Sequence, residues 1–102
     1  MGALYAGSMA ILNSEQVQAK LGGLPGWELA GDAIRRTFTF GDFAEAVSFL
    51  VRLGFAADAA DHHPDIDIRY KRVTLAYSTH SEGGLTEKDF AGAEAATKLA
   101  GS

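Results

Sequence analysis

Residues 34–64 read IRRTFTFGDFAEAVSFLVRLGFAADAADHHP, and within them the apolar period lengthens from two residues to between three and four. In the first part Ile34, Phe38 and Phe40 share one face with Arg36, while Arg35, Thr37 and Thr39 point the other way, which predicts a half-buried strand over 34–40. Gly41-Asp42 interrupts the alternation. Asp42 is placed to cap a helix, with Glu45 at its third position, and Phe43, Val47, Leu50, Val51 and Phe55 then recur at helical spacing. Pro64 disfavours helical geometry at His63, so this helix is expected to run to about residue 60 and to end near His62.

Both flanks supply partners for that strand and helix. Upstream, Asn13 or Ser14 can cap a short helix over about 14–22, with Gln16 as the capping-box partner of Asn13 and Gly22-Gly23 as its end. Pro25-Gly26 turns the chain into a strand at 27–30, and Gly31-Asp32 reads as the hairpin turn before Ile34. Downstream, strands are expected at about 67–70 and 72–79. In the second, Val73, Leu75, Tyr77 and Thr79 alternate with Thr74, Ala76, Ser78 and His80, and Gly83-Gly84 breaks it. Thr86 and Asp89 have capping-box spacing for a last helix reaching about Leu99, with Leu85 and Phe90 placed as a hydrophobic staple. The order α-β-β-α-β-β-α predicts an α+β fold, a four-stranded antiparallel sheet with helices packed on one face.

The 102 residues suit one domain. Residues 1–8, MGALYAGS, read as a tag or disordered N-terminus, and 9–102 as a single domain. Nine basic against thirteen acidic residues give a net charge of -4, the wrong sign for nonspecific nucleic-acid binding. No apolar run approaches the ~20 residues that span a bilayer, and the N-terminus lacks a secretory pattern. A cytoplasmic protein with neither membrane nor direct nucleic-acid partners is therefore expected. The absence of cysteine excludes disulfides, thiol nucleophiles and cysteine-held zinc. The strand at 72–79 has no proline or central lysine to blunt it, so it is expected to form a usable sheet edge and to support a homodimer or homotetramer.

All three histidines fall at predicted element ends, where sites collect: His62 and His63 close the long helix, and His80 ends the last strand. Asp58 precedes His62 by four residues, a spacing that lets a carboxylate on one helical turn reach and orient an imidazole on the next. A solvated helix terminus, with histidine favoured by the macrodipole, accounts for the same residues about equally well. Three imidazoles also invite a zinc reading. Adjacent His62 and His63 lie about 100° apart around a helix, however, and reach one ion only if the helix breaks between them. Asp89 is placed to cap the last helix and can also serve the site.

The run Asp58, His62-His63-Pro64, Tyr70, Ser78-Thr79-His80, Gly83-Gly84-Leu85-Thr86 and Asp89 resembles the signature of the pterin-4a-carbinolamine dehydratases. Three residues separate Asp58 from His62, five lie between Pro64 and Tyr70, nine between Tyr70 and His80, and eight between His80 and Asp89. Gly26-Trp27, Phe38-Thr39-Phe40, Asp42-Phe43, Glu45-Ala46 and Phe49 extend the likeness, which covers nearly everything from Asn13 to Leu99.

The resemblance implies dehydration of 4a-hydroxytetrahydropterin to quinonoid dihydropterin, in the service of aromatic amino acid hydroxylases, with no metal or organic cofactor and with assembly into dimers or tetramers. It places His62, His63 and His80 around the pterin, helped by Asp61, Ser78 and Thr79. Loss of the hydroxyl needs an acid and a base near neutral pH, where imidazole titrates. His62 and His80 are read as that pair and His63 as binding and polarising the pterin. Asp58 is expected to orient His62, and Asp89 to orient His80 or the loop holding it. Two positions depart from the family pattern: Asp58 stands where glutamate is more common, and Ile66 where an aromatic residue is. Relatives lacking the histidines act as assembly factors or binding modules, so a noncatalytic module is the alternative reading.

Overall fold

The computed structural model describes residues 10–101; the reading of residues 1–8 as a tag or disordered end lies outside them. Helix α1 (Ser14–Leu21) is followed by strands β1 (Glu28–Ala30) and β2 (Ala33–Thr39), helix α2 (Phe43–Ala60), strands β3 (Asp65–Arg69) and β4 (Arg72–Tyr77), and helix α3 (Glu87–Ala100). The order is the one expected from the sequence. Asn13 and Gln16 form the reciprocal capping box of α1, Asp42 accepts from the Glu45 amide at the start of α2, and Thr86 and Asp89 form a second capping box at α3.

The strands form one antiparallel sheet in the order β1-β2-β4-β3. This corrects the edge assignment. The last strand, β4, is internal, hydrogen-bonded to β2 on one side and β3 on the other, so the free edges belong to β1 and β3. Hairpin proximity joins β3 to β4, and α2 carries the chain across so that β4 also pairs with β2, with Ile34 opposite Tyr77 and Phe38 opposite Val73. Strand β3 also starts earlier than expected, and Tyr70 is not in it but sits in the turn with φ 54°.

One sheet face presents Ile34, Phe38, Val73, Leu75 and Tyr77 to the helices, which return Ala46, Phe49 and Leu53 from α2 and Phe90, Ala93 and Ala96 from α3. Trp27 locks this core: its indole packs edge-on to Phe38 and tilted against Tyr77, both at 6.0 Å, and its Nε1–H donates to Thr97 Oγ1 at 2.9 Å. Arg36 shares the apolar face by laying its guanidinium 4.3 Å from the Phe38 ring centroid. The opposite sheet face is polar, with Thr37 and Thr74 hydrogen-bonded across strands at 2.7 Å.

Helix α2 carries two apolar stripes, and the sheet takes only one. Ala46, Phe49, Leu53 and Ala57 are buried, whereas Phe43, Val47, Val51 and Phe55 point outward with 38% to 75% of their surface exposed. No helix among the described residues is long and apolar enough to cross a membrane.

Candidate active site

The site begins where α2 ends. Asp61 takes the left-handed conformation at φ 52° and ψ 41°, and the two amides that follow the helix turn back onto it: Asp61 N–H bonds the Asp58 carbonyl and His62 N–H the Ala57 carbonyl, both at 3.1 Å. This is a Schellman-type stop made by an aspartate where glycine is usual. It ends the helix before His62, so the next-turn geometry assumed for Asp58 and His62 does not exist. Asp58 Oδ1 instead accepts from His63 Nε2 at 2.8 Å, and both side chains are largely in solvent, where such a pair holds an orientation only weakly.

His62 turns inward to a different carboxylate. Its Nε2 lies 2.6 Å from Asp89 Oδ1, a short, charge-assisted contact, and its side chain is 13% exposed. Asp89 itself is fully buried at 0%. A carboxylate so placed must be matched by donors, and each is present. Asp89 Oδ2 accepts from the Thr86 amide at 2.9 Å and from the Thr79 hydroxyl at 2.8 Å, and the whole group sits in the first turn of α3, where the helix dipole favours negative charge. Thr86 Oγ1 is 2.8 Å from Thr79 Oγ1; since the Thr79 proton goes to Asp89, Thr86 is the donor there, and it accepts in turn from Lys88 N–H. Because a carboxylate can only accept, His62 presents Nε2–H to it. The neutral ring then carries its lone pair on Nδ1, and the protonated ring an N–H there.

The other sequence-predicted residues are placed as follows. His80 is exposed at the head of a 3-10 turn, His80–Glu82, one residue after Thr79, so Asp89 acts on its loop through Thr79 rather than on its ring. Thr79 is buried with its hydroxyl turned into this network, and Ser78 Oγ donates to the Asp32 carbonyl at 2.9 Å. Asp61 is exposed beside His62. The structure thus unites His62, Asp89 and Thr79 and leaves Asp58 with His63. The sequence places Thr86 in the capping box and the family signature and Tyr77 in the strand alternation; the hydrogen bond of Thr86 to Thr79 and the packing of Tyr77 on His62 depend on the fold.

Tyr77 completes the surroundings of His62, its ring stacked on the imidazole with centroids 6.0 Å apart and planes 24° from parallel. Burial first, and the Asp89 charge second, push its phenol up to about 12 from an ordinary 10.0. A raised phenol pKa favours the neutral folded state, so this stabilisation is complete below pH 10 and lost as pH climbs toward about 12. In an ultraviolet titration one tyrosine should ionise only in that last window, and Tyr77→Phe should remove that step.

The model of the family described as pterin 4 alpha carbinolamine dehydratase matches residues 10–99. The chain belongs to that family. A Mycobacteroides abscessus protein provisionally named pterin-4-alpha-carbinolamine dehydratase is 51% identical over 86 residues, covering 84% of this chain and 92% of the relative. A Chloroflexus aurantiacus protein of the same provisional name is 47% identical over 93 residues, 91% of this chain and 100% of the relative. Among solved structures, a transcriptional coactivator/pterin dehydratase from Brucella melitensis superposes with a TM-score of 0.87 at 34% identity, covering 89% of this chain and 99% of its own. A pterin dehydratase-like protein identified as a RuBisCO assembly factor in the alpha-carboxysome matches at 0.62 and 25% identity, over 74% and 88%. In this member of the pterin dehydratase family, then, His62 is bound to the capping carboxylate of α3.

Proposed function

We propose that the chain dehydrates a 4a-hydroxytetrahydropterin to quinonoid dihydropterin and water, restoring the cofactor of an aromatic amino acid hydroxylase. Family membership supports the substrate class, and the observation that carries the chemistry is the Asp89–His62 pair. Elimination breaks the C4a–O bond, with one proton delivered to the departing hydroxyl and one taken from N5, which becomes doubly bonded to C4a. A carboxylate-oriented imidazole can give or accept a proton at the nitrogen the carboxylate leaves free, here Nδ1. His62 and His80 act as the acid-base pair, and His63, hydrogen-bonded to Asp58, binds and polarises the pterin. Asp61 offers a carboxylate beside them, and Ser78 and Thr79 shape the loop from within.

An assay coupled to phenylalanine hydroxylase tests this reading. Added protein should accelerate carbinolamine breakdown above the spontaneous rate, with no metal supplied. No acceleration, with specific capture of a protein partner that survives loss of His62, would transfer support to the assembly-module reading. That alternative has one observation in its favour, the shared fold of the carboxysomal assembly factor.

A homodimer or homotetramer also belongs to this proposal, with its surface relocated. Since β4 is internal, the stripe of Phe43, Val47, Val51 and Phe55 on α2 is the apolar surface to be covered, and its i, i+4 spacing suits a second helix. Light scattering at micromolar concentration should give a multiple of the chain mass, and Phe55→Glu should reduce it. A monomeric wild-type mass would refute the assembly.

A further inference from the structure

We propose that Tyr77 is a positioning residue for His62, and that Gly92 is its counterpart, leaving the space in which the phenol ring must lie to hold the imidazole. The inference rests on the reading of His62 as an acid-base group and adds what holds its plane.

One hydrogen bond does not define an imidazole. The bond to Asp89 fixes where Nε2 points but leaves the ring free to tilt about that axis, swinging Nδ1 across the site. A flat surface against the ring removes that freedom, and the Tyr77 ring supplies one at 6.0 Å and 24°. Tyr77 is itself immobilised. It is 2% exposed, its backbone is paired opposite Ile34 at the end of the internal strand β4, and its ring also meets the Trp27 indole, which is tied to α3 through Thr97. The imidazole therefore leans on a wall continuous with the core.

That wall exists only because position 92 has no side chain. A Cβ on Gly92 would lie 2.4 Å from Tyr77 Cε1 and 2.8 Å from Cζ, well inside contact distance. A glycine in the second turn of an α-helix is less favourable than alanine, so its presence calls for a local reason, and the phenol ring is that reason. The displaced ring would have somewhere to go: His62, Tyr77 and Gly92 line a cavity of about 120 Å³ between α2 and α3, otherwise walled largely by alanines such as Ala57, Ala60 and Ala91. Gly92→Ala is thus expected to fold while shifting the ring away from His62. The phenol hydroxyl makes no hydrogen bond among the described residues, and Tyr77→Phe preserves the stacking surface.

Four variants, Tyr77→Phe, Tyr77→Leu, Gly92→Ala and the double Gly92→Ala/Tyr77→Leu, separate the elements of the proposal. Tyr77→Leu and Gly92→Ala should each lower kcat by about 10- to 100-fold with KM changed less than about twofold, because a misplacement of ~1 Å in a reacting group can cost about 10² in rate. In each, the imidazole NMR signal of the His62 Nε2–H should exchange faster with solvent. Tyr77→Phe should restore both. The double variant should be no worse than Tyr77→Leu, since the alanine then meets no ring, and this non-additivity is the signature of a direct pair. A folded Tyr77→Leu protein with wild-type kcat and Nε2–H exchange would overturn the proposal, as would a Tyr77→Phe protein as impaired as Tyr77→Leu. The NMR signal needs no substrate. If the wild-type chain proves inactive, altered Nε2–H exchange in Tyr77→Leu and Gly92→Ala still upholds the positioning while the dehydratase reading falls, and unchanged exchange defeats the positioning as well.

Discussion

Replacing His62 by alanine is expected to slow turnover by about 10²- to 10⁴-fold, the range for a positioned proton-transfer group, and to lower stability at the same time. The second effect distinguishes it from His80. Removing the His62 ring leaves Asp89 Oδ1 buried without its 2.6 Å partner, a loss worth about 1–3 kcal/mol for a buried acceptor. His80 is exposed, and its replacement should cost the same order in rate while altering stability by no more than about 0.5 kcal/mol, as surface changes usually do. Rates from the coupled assay and denaturant midpoints on the same preparations decide the matter. Near-wild-type turnover in both variants would remove these residues from the chemistry.

Asp89→Asn should be nearly as damaging while leaving the fold in place. The amide oxygen can still accept from Thr86 N–H and the Thr79 hydroxyl, but the amide nitrogen then faces His62 and donates where the carboxylate accepted. His62 must answer with a lone pair on Nε2, which moves its proton to Nδ1 and reverses the atom it shows the substrate. A tautomer reversal of this kind costs an acid-base enzyme up to about 10⁴ in kcat; here a loss of about 10²- to 10⁴-fold is expected, with an intact circular-dichroism spectrum. Nitrogen NMR of the ring reads the tautomer directly. An unchanged tautomer with unchanged kcat would show that Asp89 serves α3 alone.

Asp89 also shows where sequence reasoning reaches and where it stops. Its capping box with Thr86 was readable because a cap is local chemistry over four residues, and the same holds for Asn13 with Gln16 and for the helix start at Asp42. Its partner was not readable. The pairing of Asp58 with His62 requires the helix to reach His62, two residues beyond its end at Ala60, and the left-handed turn at Asp61 sends His62 and His63 to different carboxylates. Periodicity on α2 was equally real and equally undecided. Phe43, Val47, Val51 and Phe55 keep helical spacing as well as Ala46, Phe49, Leu53 and Ala57 do, and only the position of the sheet determines which stripe is buried. Strand order is set by pairing between distant segments, so the alternation in β4 announced a strand without showing that it lies between two others.

The same capping box limits how this fold can be redesigned. Helix termini are the usual place to begin thermostabilisation, since better N-caps commonly add about 0.5–2 kcal/mol without touching function. At α1 and α2 that freedom holds, because the Asn13–Gln16 box and the Asp42 cap serve only their own helices. At α3 it does not. Lengthening Asp89 to glutamate, or exchanging Thr86 for a stronger cap, would shift the carboxylate that aligns His62 and the hydroxyl chain that steadies it. On the proposed chemistry, selection on melting temperature alone would therefore be drawn to a turn of helix where a tighter cap is expected to slow turnover.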